Sequence, residues 1–293
     1  MALEIFITYY GALEYLRTSV GSVLAQSEPN WTLTIVDDCF PGTEAQMYIN
    51  QIDDPRIRFV RNKKNLGISE TFNRCIKLSR ADFLVIMGHD DVLEPGFVAQ
   101  AERLCEKFPD AAIIQPGVSV IQSDGAPVWS LVDFFKRVIS AAHPRDVPLQ
   151  GEALLRSLMI GNWAYFPSLI WQREALENYR FRTDLSICQD LHLIAMIISD
   201  GGSMILNSQP VFRYRRHSMS QSALAAKSGE IFAEERILYQ ELASEFARKG
   251  MRSAAFLARV HLFSRLSALL IAFKAFTTFD LKVLFAALRH CLS

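Results

Sequence analysis

Apolar positions along the chain change period repeatedly, and each change marks an element. Leu3 to Thr8 is a short β-rich run that closes at Tyr9-Tyr10-Gly11; helical spacing follows at Leu13, Leu16, Val20, Val23 and Leu24. Trp31 to Val36 predicts a second strand ending in Asp37-Asp38, after which Cys39-Phe40-Pro41-Gly42 has turn chemistry. Arg56 to Arg61 predicts a third strand, Asn65-Leu66-Gly67 breaks it, and Ser69 to Ser79 predicts a helix. Phe83 to Met87 is a continuous apolar strand with Gly88-His89-Asp90-Asp91 at its carboxyl end, and a helix from Phe97 to Phe108 stops before Pro109. Beyond it the expected order is a strand at Ile113 to Gln115, an irregular stretch from Ser123 to Pro148, and a helix from Gly151 to Met159. A strand at Pro167 to Trp171, a helix at Leu191 to Ser199 and a strand at Met204 to Leu206 then lead into a basic segment, Val211 to Ser222.

Strands alternating with helices predict an α/β fold whose mostly parallel sheet is flanked by helices, and such sheets bind ligands beyond the carboxyl ends of their strands. Both acidic pairs fall at such ends. The pattern divides into an α/β unit over 1–225, with halves of about 1–110 and 111–225, and a C-terminal helical region over 226–293. Residues 246–293 of that region hold eight Lys or Arg against one acid, Asp280. Phe256, Leu257, Val260, Phe263, Leu266, Leu270, Phe273 and Phe276 give it the spacing of an amphipathic helix. Two readings stay open: docking on an anionic lipid surface, or packing on the α/β unit.

Half of the 293 residues are hydrophobic, enough for a large core, which excludes a disordered chain. Lys and Arg balance Asp and Glu at 31 each, so overall charge gives no reason to expect nucleic acid as a partner. The five cysteines include no CxxC pair, which argues against a zinc knuckle or a disulfide scaffold and for a reducing compartment. No basic region opens the chain, so no signal peptide is expected. Uninterrupted apolar runs near the C-terminus, such as Leu269 to Phe273, are far below the roughly 20 residues of a spanning helix. A location in the cytoplasm, peripheral to the inner face of the cell membrane, is the expectation.

Asp90 and Asp91 follow a buried strand, where two carboxylates repel unless a cation lies between them. The alternative is that they cap the following turn. Asp37 and Asp38 can accept hydrogen bonds from a base N–H or a ribose hydroxyl, or can line a solvated loop. Asp190 can cap the helix starting near Leu191, act as a general base, or do both. Arg213-Tyr214-Arg215-Arg216-His217 can grip phosphate or form a surface charge cluster. His89 could ligate a metal or simply line the site. Trp163 can stack on a sugar or be core, as buried aromatics commonly are.

The order of Ile5-Phe6-Ile7-Thr8-Tyr9-Tyr10-Gly11, Ser22-Val23-Leu24-Ala25-Gln26, Val36-Asp37-Asp38, Asn65-Leu66-Gly67 and Gly88-His89-Asp90-Asp91 with Pro95 resembles glycosyltransferase family 2 over roughly residues 3–222. The resemblance implies the GT-A fold and an inverting, metal-dependent transfer of a sugar from a nucleoside diphosphate, a UDP-sugar first, to a hydroxyl of a glycan or lipid-linked acceptor in cell-surface polysaccharide or glycolipid synthesis. It assigns Thr8, Tyr9, Tyr10, Asp38, Asn65, Gly67 and Asp90 to the nucleotide. Asp90, Asp91 and His217 fall to Mn²⁺ or Mg²⁺, Arg213, Arg216, His217 and Ser222 to the diphosphate and Asp190 to the catalytic base; Trp163 is the acceptor candidate on its aromatic character alone.

Two departures stand out: Gly88 occupies the place of the family's first acid, and Gln189 that of the Glu before the base. They motivate an alternative, a catalytically impaired nucleotide-sugar-binding partner subunit. A sugar-1-phosphate nucleotidyltransferase or a dinucleotide oxidoreductase would carry a Gly-rich loop after the first strand, and Tyr9-Tyr10-Gly11-Ala12 has one glycine.

Overall fold

The computed structural model describes residues 2–217, 225 and 228–292. Strands β1 (Leu3–Tyr9), β2 (Trp31–Asp37), β3 (Ile57–Arg61) and β4 (Phe83–Gly88) alternate with helices α1 (Leu13–Leu24), α2 (Glu44–Ile49) and α3 (Ile68–Leu78). They form a parallel half-sheet in the order β3-β2-β1-β4. Burial on both faces explains why β4 reads as an unbroken apolar run, whereas β3 at the sheet edge is only partly buried and carries Arg58 and Arg61. In β1, Leu3, Ile5, Ile7 and Tyr9 enter one core and Phe6 the other.

Past β4 the sheet becomes mixed. Strand β5 (Val92–Leu93) is followed by helix α4 (Phe97–Lys107) and strand β6 (Ile113–Ile121). Strand β8 (Ile170–Gln172) lies antiparallel between β4 and β6, and β9 (Ser203–Arg215) runs parallel to β6. The short β7 (Pro148–Gln150) pairs with the start of β9. The far end of β9 returns to β5 with Arg213 opposite Val92, which carries the basic segment back to the acidic pair.

The segment expected to be irregular contains a helix, α5 (Leu131–Ala141), capped by Ser130, whose hydroxyl accepts from the Asp133 N–H at 3.2 Å. The strand expected from Pro167 is a 3-10 turn at Phe166–Ser168, with β8 beginning only at Ile170. Pro167 fixes its own φ and has no N–H to give a ladder, which favours the turn.

Helices α6 (Gly151–Ile160) and α7 (Gln189–Ser199) cover one face of the sheet. The C-terminal region adds α8 (Glu230–Arg248), α9 (Arg252–Val260), α10 (Leu262–Thr277) and α11 (Leu281–Leu292). Its first part belongs to the main core, because Leu238, Leu242 and Phe246 of α8 and Ala254, Ala255 and Ala258 of α9 are buried with residues of α6 and α7. Helices α10 and α11 pack through Ala268, Ala272 and Ala287 onto Phe232.

Arg252–Thr277 is long and apolar enough to cross a bilayer by length and composition, contrary to the expectation from uninterrupted runs. Two features oppose spanning. His261, at φ 30°, breaks the helix between α9 and α10, and three alanines of α9 are committed to the protein core.

Candidate active site

The nucleotide-side expectations converge at the carboxyl ends of β1, β2 and β4. Thr8 Oγ1 donates to the Met87 carbonyl at 3.3 Å, tying β1 to β4 just before the acidic turn. Tyr9 is buried and meets Phe40 and His89 edge-on at centroid distances of 5.4 Å. Tyr10 is 48% exposed and touches Phe40 at 5.2 Å, leaving ring surface for a planar ligand.

Asp38 is 5% exposed, and protein donors already engage both carboxylate oxygens. Oδ1 accepts from Asn62 Nδ2 at 2.6 Å and the Leu66 N–H at 2.8 Å, and Oδ2 accepts from the Gly67 N–H at 2.9 Å. Asp38 therefore shapes the Asn65-Leu66-Gly67 turn. Asn65 adds an acceptor to the same Gly67 N–H at 2.9 Å, and Gly67 adopts φ 82°, which glycine tolerates, as α3 begins. Between Asp38 and Phe40, Cys39 holds φ 60°, a strained conformation for a side-chain-bearing residue next to a site.

The two carboxylates of the acidic turn differ. Asp90 Oδ2 lies 2.8 Å from His217 Nε2, across 127 residues of sequence. Burial works against its ionised form, but the hydrogen bond from His217 and the charges of His89 and His217 outweigh it and hold Asp90 below the usual carboxylate range. Asp91 is 2% exposed, and burial and the Asp90 charge push it well above that range. Its Oδ1 accepts the Arg215 N–H at 3.0 Å, so it ties the turn to β9; this bond and its near-complete burial count against the expectation that Asp91 ligates metal.

Gly88 has a steric meaning. A Cβ there would come within 2.5 Å of Asp90 Oδ1 and 3.3 Å of Asp91 Oδ2, so the space vacated by the family's first acid is taken by Asp90. Among the described residues, no group of three or more His, Cys, Asp or Glu side chains forms a closed metal cage. Asp90 with His217 is an open donor set, which fits an ion that completes its shell with water and substrate phosphate.

Asp190 lies in the first turn of α7 and is partly exposed. Its carboxylate accepts from the Leu191 N–H at 2.7 Å and from Asn162 Nδ2 at 3.4 Å. Burial raises its pKa, opposed by the Leu191 N–H, the Lys136 charge and Asn162. The carboxyl groups of Asp91, Asp90 and Asp190 all raise the pKa of the Tyr214 hydroxyl, after burial, so the acidic turn and the start of α7 lie within electrostatic reach of one phenol.

Three expected contacts are corrected. Arg213 directs its Nε at Glu94, and Arg216 grips Asp133 bidentately at 2.9 and 2.8 Å, so both guanidiniums are turned toward protein carboxylates, Arg216 the more completely. Trp163 is fully buried and donates from Nε1 to Ser157 Oγ at 3.0 Å, which leaves no ring face for an acceptor. Arg215, far from a surface charge, is 5% exposed and donates to the carbonyls of Asp90, Gln122 and Ser123 at 2.7 to 2.9 Å. Ser222 lies outside the described residues.

Sequence reasoning missed the residues that α5 brings to the site. Asp133 accepts from Tyr165 Oη at 2.8 Å in addition to Arg216. Lys136 donates to the Ala164 carbonyl at 2.9 Å and lies 4.5 Å from the Tyr165 ring centroid; burial lowers its pKa to about 8. The available signal was Ser130-Leu131-Val132-Asp133, an acid three residues after a capping serine, ahead of Phe134, Phe135 and Val138.

The family model described as glycosyl transferase family 2 matches residues 4–156, just over half of the chain, and the chain belongs to that family. It is 26% identical over 226 residues to the succinoglycan biosynthesis protein ExoO of Rhizobium meliloti, covering 73% of this chain and 61% of that one. It is 29% identical over 107 residues to WcaA of Escherichia coli, a putative colanic acid biosynthesis glycosyl transferase, covering 35% and 38%. The chain thus spans less than two thirds of these curated relatives. Among solved structures, S. aureus TarS residues 1–349 in complex with UDP-GlcNAc superposes with a TM-score of 0.69 at 14% identity, covering 89% of this chain and 73% of that one. The fold is the GT-A type, a central mixed sheet flanked by helices with helices following at the C-terminus.

Proposed function

We propose that this chain is an inverting glycosyltransferase of polysaccharide biosynthesis, moving a sugar from a nucleoside diphosphate donor, UDP-linked in the first instance, to a hydroxyl of a glycan or lipid-linked acceptor. The observation that carries the reading is the pairing of Asp90 with His217, together with a separate carboxylate, Asp190, that acts electrostatically on the same Tyr214 phenol as the acidic turn. ExoO, WcaA and TarS support the class of reaction and donor by their names and bound ligand.

The donor's base lies along Tyr10 and the Asn65-Leu66-Gly67 turn that Asp38 braces. Asp90 and His217 are the residues that would hold Mn²⁺ or Mg²⁺, and such an ion would supply Lewis-acid stabilisation of the charge on the leaving diphosphate. Asp190 takes the proton of the acceptor hydroxyl as its oxygen attacks the anomeric carbon, and the bond to the diphosphate breaks on the opposite face, inverting that centre. General-base help of this kind contributes about 10²- to 10⁴-fold. Asn162 and the Leu191 N–H orient the carboxylate. The impaired-subunit alternative is disfavoured, because Asp90 fills the space at Gly88 and keeps its bond to His217.

The deciding experiment compares Asp190→Asn with wild type. Transfer from the donor should fall at least about 10²-fold, while UDP binding in the presence of Mn²⁺ stays as in wild type. Undiminished transfer would place the base elsewhere. UDP affinity that is equal with Mn²⁺ and with chelator would remove the metal from the reading.

A further inference from the structure

We propose that Glu234, on α8 and outside the segment that matches the family, is the positioning residue for Asp190; the inference rests on Asp190 being the base. The stretch from Phe181 to Cys188 that delivers Asp190 to the site has no helix or strand of its own. It is held from two sides. From α3, Asn73 exchanges two 2.8 Å hydrogen bonds with the backbone of Phe181, and Ser69 Oγ donates to the Leu185 carbonyl at 2.7 Å.

From α8, the Glu234 carboxylate accepts three successive backbone N–H groups. Ser186 donates to both oxygens at 2.9 Å, and Ile187 and Cys188 donate to Oε2 at 2.8 and 3.4 Å. Seven residues further along α8, Glu241 pairs with Arg182 of the same stretch.

Helix α7 begins immediately after these amides, with Cys188 at its N-cap position and no side-chain cap. A helix N-terminus leaves N–H groups without intrahelical partners and favours nearby negative charge. Glu234 supplies an acceptor and a charge just ahead of the first turn, two residues before Asp190. Removing it leaves three amides to find new partners, and the least constrained response is for the stretch to shift and carry Asp190 with it. A misplacement of 1 Å at a reacting group can cost about 10²-fold in rate. Glu234 itself touches no reacting atom.

The test uses the full chain with Glu234→Gln and Glu234→Ala. Hydrogen exchange should quicken at the amides of Ser186, Ile187 and Cys188 in both variants, more in Glu234→Ala, because glutamine keeps one acceptor oxygen. For the UDP-sugar that wild type turns over, kcat read as UDP release should fall about 10²-fold in Glu234→Ala and less in Glu234→Gln. Donor KM and UDP affinity with Mn²⁺ should stay at wild-type values. Unchanged exchange overturns the clamp. Faster exchange with unchanged kcat, or a loss confined to KM or to the folded fraction, overturns the positioning role. If wild type releases no UDP from any UDP-sugar, the transferase reading itself fails, while the exchange measurement still reports on the clamp alone.

Discussion

At Gly88 a single missing side chain decides where a carboxylate sits. Asp90 Oδ1 occupies the position a Cβ would claim, and Asp90 Oδ2 holds His217. Gly88→Ala should swing Asp90 away and break that bond, weakening Mn²⁺-dependent UDP binding by about tenfold or more, the scale of one charge-assisted hydrogen bond at about 1.5 kcal/mol. Isothermal titration with UDP would measure it, and unchanged affinity would remove the packing argument. Asp190 carries a different signature. Its folded-state pKa is raised, so the ionised form is disfavoured in the native protein: stability is lost as pH rises through the interval from the unfolded value to the folded one. Asp190→Asn should therefore raise the melting temperature at neutral pH, and the gain should vanish below the ordinary aspartate pKa of 3.8. A melting temperature lowered at pH 7 would mean that the carboxylate's helix-capping bond outweighs its burial.

Helix α5 shows why part of the site escaped the sequence. The inner strands of the first half announced themselves because burial makes them largely apolar, and their acidic ends followed from the same reading. In α5 the usual arrangement is inverted: Leu131, Val132, Phe134, Phe135 and Val138 are exposed, while Asp133 is buried against Arg216 and Tyr165. A pattern read for a core finds no core beneath such a helix. The basic segment misled for a related reason, since three arginines within four residues look alike in sequence, yet Arg213, Arg215 and Arg216 take three different protein partners. No local spacing reveals a pairing across 83 residues such as Arg216 with Asp133. Asp133→Ala should cost about 3 kcal/mol in urea unfolding, the low end for breaking a buried pair, because Arg216 keeps 33% of its side chain in solvent. A loss below about 1 kcal/mol, typical of a surface ion pair, would show that α5 is not anchored there.

For the whole molecule, the C-terminal helices divide by what they cover. Helices α8 and α9 complete the main core and hold the stretch before Asp190, whereas α10 and α11 leave Leu270, Phe273, Phe276 and Phe285 between 65 and 72% exposed. Phe135 of α5 meets Phe263 of α10 at 5.4 Å, which joins the outward apolar face of α5 to that surface. With the basic residues Arg265, Lys274, Lys282 and Arg289 of α10 and α11 against one acid, Asp280, this exposed face leads us to expect docking on an anionic lipid surface. Burying each aromatic contributes about 1.5 to 3 kcal/mol and each nearby basic residue about 1 kcal/mol, so a few of each suffice for peripheral binding. Truncation before α8 would strip the core, so substitution is the cleaner probe. The triple variant Leu270→Ser, Phe273→Ser, Phe276→Ser should keep the wild-type melting temperature and UDP affinity, yet no longer sediment with phosphatidylglycerol vesicles. Wild type should sediment with those vesicles and be released by high salt, because the basic residues act through a screened field. Wild type that stays in the supernatant, or a variant that sediments equally well, would end the lipid reading; a change in oligomeric state between the two would instead assign this face to a second copy of the chain.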